Sequence, residues 1–183
     1  MSQQVDASRI PELKDVVSRA LDSARRAGAT QAEADASLQQ GLSVSVRLGE
    51  VETVEYQRDR ALGITVYFGH RKGSASTGDL SAQSVEDMVA KACAIARHTA
   101  EDECAGLADP ALLQTQFRDL HLDFPWELSA DAAVELAREC EAAGRAVDTR
   151  LSNSEGASVS SQRGVRVYGN THGFLAGDCG TSH

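Results

Sequence analysis

The sequence predicts an α+β fold in which antiparallel meander sheets carry helices packed on one face. Three observations point there. Residues 10–27 repeat apolar side chains at steps of three and four, residues 42–48 alternate apolar and polar ones, and both patterns return later in the chain. Short reversals between alternating segments build sheets with one greasy face, and the helices are the elements available to cover it.

Ile10, Leu13, Val16, Val17, Ala20, Leu21, Ala24 and Ala27 make the stripe of the first helix. Pro11 suits its opening turn, where a missing N–H costs nothing, and Gly28 supplies a stop. A strand is expected over 32–38. Leu42, Val44, Val46 and Leu48 then alternate with Ser43, Ser45 and Arg47, as a strand with one buried face requires. Gly49-Glu50 reverses the chain into a return strand over 51–58, with Val54 and Tyr56 on one face. Asp59-Arg60 reads as another turn, 61–68 as a third strand, and Gly69 to Gly73 (GHRKG) as a turn into the small-residue stretch GSAST.

Ser84 is the expected cap of a second helix, with Asp87 as the weaker, shorter form of a capping-box acid. Val85, Met88, Val89, Ala92 and Ala96 would face the sheet, with Ile95 at the border of that face. Asp109-Pro110 and Phe124-Pro125 bias the chain away from helix, so 106–127 reads as a crossover with at most a short helical piece after Pro110. Leu128-Ser129 looks like a staple residue and a cap. Ala133, Leu136, Ala137, Cys140, Ala143 and Val147 supply a third stripe. Strands are expected over 147–152, 157–162 and 165–168, with turns at Asn153 to Gly156 and Arg163-Gly164. A turn over Gly169 to Gly173 then leads into a strand from Phe174 that lacks a partner. The resulting division is an N-terminal α+β domain at 1–105, the crossover at 106–127, and at 128–183 the start of a second α+β domain that continues beyond the chain, since complete domains avoid unpaired apolar edges. An echo joins the two halves: Gly63-x-x-Val66-Tyr67 matches Gly164-x-x-Val167-Tyr168.

The 183 residues suffice for one domain or two small ones, and 42% hydrophobic content fits a globular protein. A formal charge of -9 repels phosphate backbones and anionic lipid, and no basic run exceeds Arg71-Lys72, so neither nucleic acid nor membrane is an expected partner. Cys93, Cys104, Cys140 and Cys179 form no CxxC pair. Together with a start that lacks a signal peptide, they read as reduced cytoplasmic thiols. Cys93 and Cys140 sit on helix stripes as core residues, whereas Cys104 and Cys179 fall at positions compatible with exposure.

Candidate chemistry is sparse. His172, Asp178, Cys179 and His183 are ligand types, but their spacing matches neither paired structural-zinc cysteines nor H-E-x-x-H. His70, His98 and His121 read as solvated or helix-capping residues. No G-x-S-x-G elbow nominates a nucleophile. The GHRKG turn is a basic hairpin without a phosphate-loop pattern. Glu50, Glu52 and Glu55, and Glu101 to Glu103, lack the aromatic floor a sugar site needs, since aromatics make up 4% of the chain. What remains is a physical property: exposed strand edges around 42–58 and 157–178 that an extended peptide could join through backbone hydrogen bonds.

Three blocks carry a resemblance: QQGLSVSVRLGEVETVEYQRDRALGITVYFGHRKGSAST, AIARHTAEDECAGLAD and SSQRGVRVYGNTHGF. The chain closely resembles the N-terminal portion of the TldD/PmbA family, on its PmbA-like side, over essentially its whole length. The resemblance implies the front part of a subunit of a cytoplasmic, ATP-independent zinc peptidase complex acting on unfolded peptides, in peptide-antibiotic maturation and antitoxin degradation. It implies a TldD-like partner subunit holding zinc through an H-E-x-x-x-H motif and a cysteine, with self-association as the other assembly. The PmbA-like subunit lacks those ligands and helps enclose a chamber where peptides bind as an added strand. None of the metal ligands has a counterpart in residues 1–183, so the implied role here is structural and peptide-binding, with no cofactor and no catalytic residue in this stretch. Peptide or partner contacts are expected near Glu52, Tyr56, Arg58 and His70, and near Tyr168 and His172. The other reading is a non-enzymatic peptide- or protein-binding scaffold.

Overall fold

The structure is a computed structural model that describes residues 5–114 and 117–183. Residues 1–4 of the expected first domain, and 115 and 116 of the expected crossover, lie outside the described residues. In chain order the elements are α1 (Ile10–Arg26), β1 (Gln31–Arg47), β2 (Glu50–Phe68), β3 (Arg71–Thr77), α2 (Ala82–His98), α3 (Ala130–Ala146), β4 (Ala157–Asn170) and β5 (Leu175–Ser182), with single 3-10 turns at Ala7–Arg9 and Pro110–Leu112. The strands form one sheet in the order β3-β2-β1-β4-β5. The fold is α+β, with an antiparallel, meander-like sheet and helices on one face.

Several strands are longer than their sequence suggests. The expected segments 32–38 and 42–48 are one strand of 17 residues, and 51–58 and 61–68 are one strand of 19 residues with no turn at Asp59-Arg60. Segments 157–162 and 165–168 are likewise joined through Arg163-Gly164. Lys72 and Gly73, expected in a turn, already pair with Tyr67 and Val66 as part of β3. Residues 147–152 form no strand. The strand after Gly173, expected to lack a partner, pairs with β4.

By internal contacts the chain divides into two compact units, residues 1–38, 59–121 and 165–179 in the first, and 39–58, 122–164 and 180–183 in the second. The first unit holds the larger core. Leu13, Val16, Val17, Ala20, Leu21 and Ala24 of α1 are buried, as are Val85, Met88, Val89, Ala92, Cys93 and Ala96 of α2. They meet Ala32, Ala34, Ala36, Leu62, Ile64 and Val66 on one face of the sheet. Each fully buried Val or Leu contributes roughly 1.5–3 kcal/mol relative to exposure. At Gly73 of β3 the backbone runs so close to α2 that a Cβ would strike Ala92 O and Ala96 N, which explains why glycine stands inside a strand. The second helix starts earlier than expected. Ser81, not Ser84, is its cap, accepting from Ser84 N at 3.4 Å, and the hydroxyls of both serines donate to Asp79 Oδ2, at 3.0 and 2.7 Å.

In the second unit Leu42, Val44 and Val46 pack against Ala133, Val134 and Ala137 of α3. Ser129 caps that helix as expected, with its hydroxyl accepting from Ala132 N. The buried face is rotated from the expected stripe: Leu136, Cys140, Ala143 and Val147 are exposed, whereas Val134 and Glu141 are buried. The cause is the β1–β2 reversal. Leu48 (φ 53°) and Gly49 (φ 81°) both take the left-handed conformation of a two-residue hairpin turn. Their N–H groups both donate to the Glu141 carboxylate, to Oε1 from Leu48 N at 2.7 Å and to Oε2 from Gly49 N at 2.8 Å. Arg138 Nε donates to Gly49 O at 2.9 Å and completes the clasp.

The Gly49 and Leu48 N–H groups hold the Glu141 carboxyl below the usual carboxylate range, because they favour its charged form. Its contribution to stability is therefore present above the unfolded-state carboxylate range and is lost as pH falls through the lower folded-state value. Urea unfolding followed from pH 7 into the acid range should show Glu141→Gln less stable than the parent at neutral pH, with the difference narrowing on acidification. A constant difference across that range would rule out the clasp as its source.

Candidate functional site

The alternation of β1 decides what the open face of the first unit carries. With Ala32, Ala34 and Ala36 turned into the core, Glu33 and Asp35 must project from the opposite face. Glu33 sits between two tyrosines. Tyr67 on β2 donates its hydroxyl to Glu33 Oε1 at 3.0 Å, and Tyr168 on β4 donates to Oε2 at 2.8 Å. Because β2 and β4 flank β1, each tyrosine reaches in from one neighbouring strand. The sequence echo ending in Tyr67 and Tyr168 has this geometric meaning: equivalent tyrosines clamp one carboxylate from both sides. Asp35 Oδ2 lies 3.4 Å from Arg166 Nη2.

Two clefts open on this face. One, of about 480 Å³, is lined by Glu33, Asp35, Thr65, Ser74, Arg166 and Tyr168, among others. The other, of about 290 Å³, is lined by Phe117, Arg166, Tyr168, Phe174, Ala176 and Asp178, with Gly177. A third cleft in the same unit, of about 460 Å³, contains Gln31, His70, Glu103 and Cys104.

The six residues expected to contact peptide or partner fall into three places. Tyr168 belongs to the Glu33 clamp. His70 follows β2 and His172 follows β4, and both approach Gln31: His70 lines a cleft with it, and Gln31 Nε2 lies 3.5 Å from His172 Nε2. Glu52, Tyr56 and Arg58 lie on the second-unit part of β2, where Glu52 is 4.0 Å from Arg47 Nη1 and Tyr56 is 74% exposed. Glu33, Asp35 and Arg166 were not singled out from sequence. The signal for the first two was the run Ala-Glu-Ala-Asp-Ala at 32–36, which commits acids to the face opposite the helices.

Among the described residues, no group of three or more His, Cys, Asp or Glu side chains is arranged to hold a metal ion. His183 instead packs its ring against Trp126, with centroids 5.5 Å apart, and Nε2 lies 3.0 Å from Phe124 O. Cys93 is buried and Cys104 exposed, as expected, but Cys140 is exposed and Cys179 buried. Cys179 lies inside β5, which pairs with β4 and so draws it into the core, while the rotation of α3 turns Cys140 outward. Among the described residues, no helix is long and apolar enough to cross a membrane.

Burial pushes the Tyr67 hydroxyl up to about 12, helped by its bond to Glu33 and that residue's charge. Burial likewise raises Tyr168, with Glu33 adding to the shift and a bond to Asn170 opposing it. A raised folded-state value means that stability is fully present below the unfolded tyrosine value near 10 and is lost as pH climbs towards 12. Tyr67→Phe should lower stability at pH 8 by about 1 kcal/mol. It should also flatten the decline between pH 10 and 12, as read by denaturant unfolding at each pH. An undiminished alkaline decline in this variant would show that the clamp does not set it.

The comparisons with known proteins converge. Residues 32–96 match the profile described as PmbA/TldA metallopeptidase domain 1, and residues 123–183 match the PmbA/TldA metallopeptidase central domain. Metalloprotease PmbA of Escherichia coli O157:H7 is 49% identical over 180 residues, covering 98% of this chain and 40% of that protein. A Metalloprotease PmbA homolog of Haemophilus influenzae is 48% identical over 164 residues, covering 90% of this chain and 36% of that protein. The chain thus spans about 40% or less of the length of these relatives. The crystal structure of TldE from Thermococcus kodakarensis shares the fold, with a TM-score of 0.72 at 18% identity over 91% of this chain and 37% of that one. With two of its domain profiles matched in order and half the residues shared with one relative, the chain belongs to the TldD/PmbA family.

Proposed function

We propose that the chain is the N-terminal part of a PmbA-like (TldE-like) subunit of a cytoplasmic zinc-dependent peptidase complex acting on unfolded peptides. In this reading it builds wall and peptide-binding surface, and a TldD-like partner subunit holds the zinc. Maturation of a peptide antibiotic and degradation of an antitoxin are the proposed tasks of the assembly.

The observation that supports the reading is the outer edge of β2. The ladder to β3 covers only Leu62 to Phe68, whereas the strand begins at Glu50. All twelve residues from Glu50 to Ala61 are exposed, including Val51, Val54 and Tyr56. Among the described residues, no strand lies on that side of β2 along this stretch. Outward N–H and C=O groups on such an edge are a template for an added strand. A peptide held there pairs through its backbone, which tolerates diverse sequences, and it must be unfolded to do so. Glu52, Tyr56 and Arg58 stand along this edge and are proposed as its contact residues.

Two measurements test the proposal. Co-expressed with a TldD-like zinc chain, the full-length protein should co-purify with it and cleave an unstructured peptide. The 183-residue chain should bind the same peptide, and N-methylating two alternate peptide amides should weaken binding about tenfold or more, because each blocked bond removes about 1 kcal/mol. Undiminished affinity of the methylated peptide would eliminate strand addition. Peptide capture by a full-length protein that never associates with a zinc chain would favour a scaffold instead.

A further inference from the structure

The edge of β2 reads peptide backbone, and the open face of the first unit has the chemistry to read side chains. We infer that this face binds a peptide segment in which a basic residue stands next to an aromatic one. The inference rests on the peptide-binding reading above and adds a sequence preference to it.

The two clefts of 480 Å³ and 290 Å³ share Arg166 and Tyr168, so they are neighbouring lobes of one surface. The first lobe presents the carboxylates of Glu33 and Asp35 beside the hydroxyls of Thr65 and Ser74. Each oxygen of Glu33 accepts one tyrosine hydroxyl and keeps capacity for another donor. Asp35 meets Arg166 at 3.4 Å, with the side chains 43% and 68% exposed. Such a pair contributes little and yields readily to a better-placed cation. Counted over both lobes, Glu33, Asp35 and Asp178 oppose the single guanidinium of Arg166. The balance is negative, so an ammonium or guanidinium group is attracted and a carboxylate is repelled.

The second lobe is aromatic. Tyr168 and Phe174 stand with ring centroids 5.9 Å apart at 50°, and Phe117 is 48% exposed although it lines the same cleft. Ala176 and Gly177 line the same lobe. Two half-buried rings beside the exposed Phe117 in one concavity favour insertion of a further ring at offset or tilted geometry. Arg166, which lines both lobes, can lie over an inserted ring once it is released from Asp35. A cation in one lobe and a ring in the next correspond to adjacent side chains of one peptide.

The test uses the 183-residue chain and unstructured peptides of one length with a central Lys-Phe, Glu-Phe or Lys-Ala, followed by fluorescence anisotropy. Lys-Phe should bind about tenfold more tightly than either of the others. Asp35→Asn should erase the advantage over Glu-Phe while keeping that over Lys-Ala, and Phe117→Ala should do the reverse. Both residues are at least partly exposed, and circular dichroism confirms that the variants fold. Equal affinity for all three peptides would overturn the inference while leaving the backbone-pairing reading intact. Tighter binding of Glu-Phe would overturn it in favour of an anion site on Arg166. No binding of any peptide to the folded chain would count against the peptide-binding reading as well.

Discussion

Everything in the first unit depends on the strict alternation of β1. Ala32, Ala34 and Ala36 give the helix-covered side of the sheet a thin apolar surface, on which α1 and α2 can settle closely. The same alternation fixes the fate of Glu33 and Asp35. A register slip of one residue would drive both carboxylates into a core of Leu, Val and Met, where an unpaired charge costs several kcal/mol. The core and the acidic face are therefore one decision, made by a run of five residues. The tyrosines from β2 and β4 then tie the central strand to both neighbours on its open side.

The helices were readable because their apolar stripes are dense, although the cap of α2 and the buried face of α3 differ from expectation. Ser129 announces α3, and Pro110 announces a short helical turn. Strand length was harder to read, and particular residues show why. Gly41 looks like an interruption between two strands, but it stands where β1 and β4 come close: a Cβ there would lie 2.8 Å from Gln162 Cγ and 3.0 Å from Ser161 O. Arg163-Gly164 resembles a turn, yet Arg163 Nε reaches Asp123 Oδ1 at 2.8 Å and the strand runs on beneath it. Asp59-Arg60 belongs to a stretch exposed throughout, so neither face imposes the apolar rhythm that would have revealed a strand. Glu141 escaped notice for a different reason. A buried acid breaks the stripe of α3, and only the left-handed hairpin of Leu48-Gly49 explains it.

The candidate site was partly legible. The paired Gly-x-x-Val-Tyr motifs marked Tyr67 and Tyr168 as equivalent, but nothing local says that both point at residue 33. That fact belongs to the strand order, which brings residues from 31–47, 50–68 and 157–170 side by side. Membership in the TldD/PmbA family was carried by long ordered blocks rather than by a catalytic motif. The first unit and the strand edge present an exposed backbone, a carboxylate clamp and an aromatic cleft.

Strand addition requires that β2 be paired on both sides over only part of its length. Amide hydrogen exchange on the 183-residue chain, read residue by residue, tests it most directly. Alternate amides from Glu50 to Ala61 should exchange orders of magnitude faster than those of Leu62 to Phe68, and should slow when an unstructured peptide is added. Uniform protection along the whole strand in the free chain would contradict the account, because no open edge would then exist for a peptide to join.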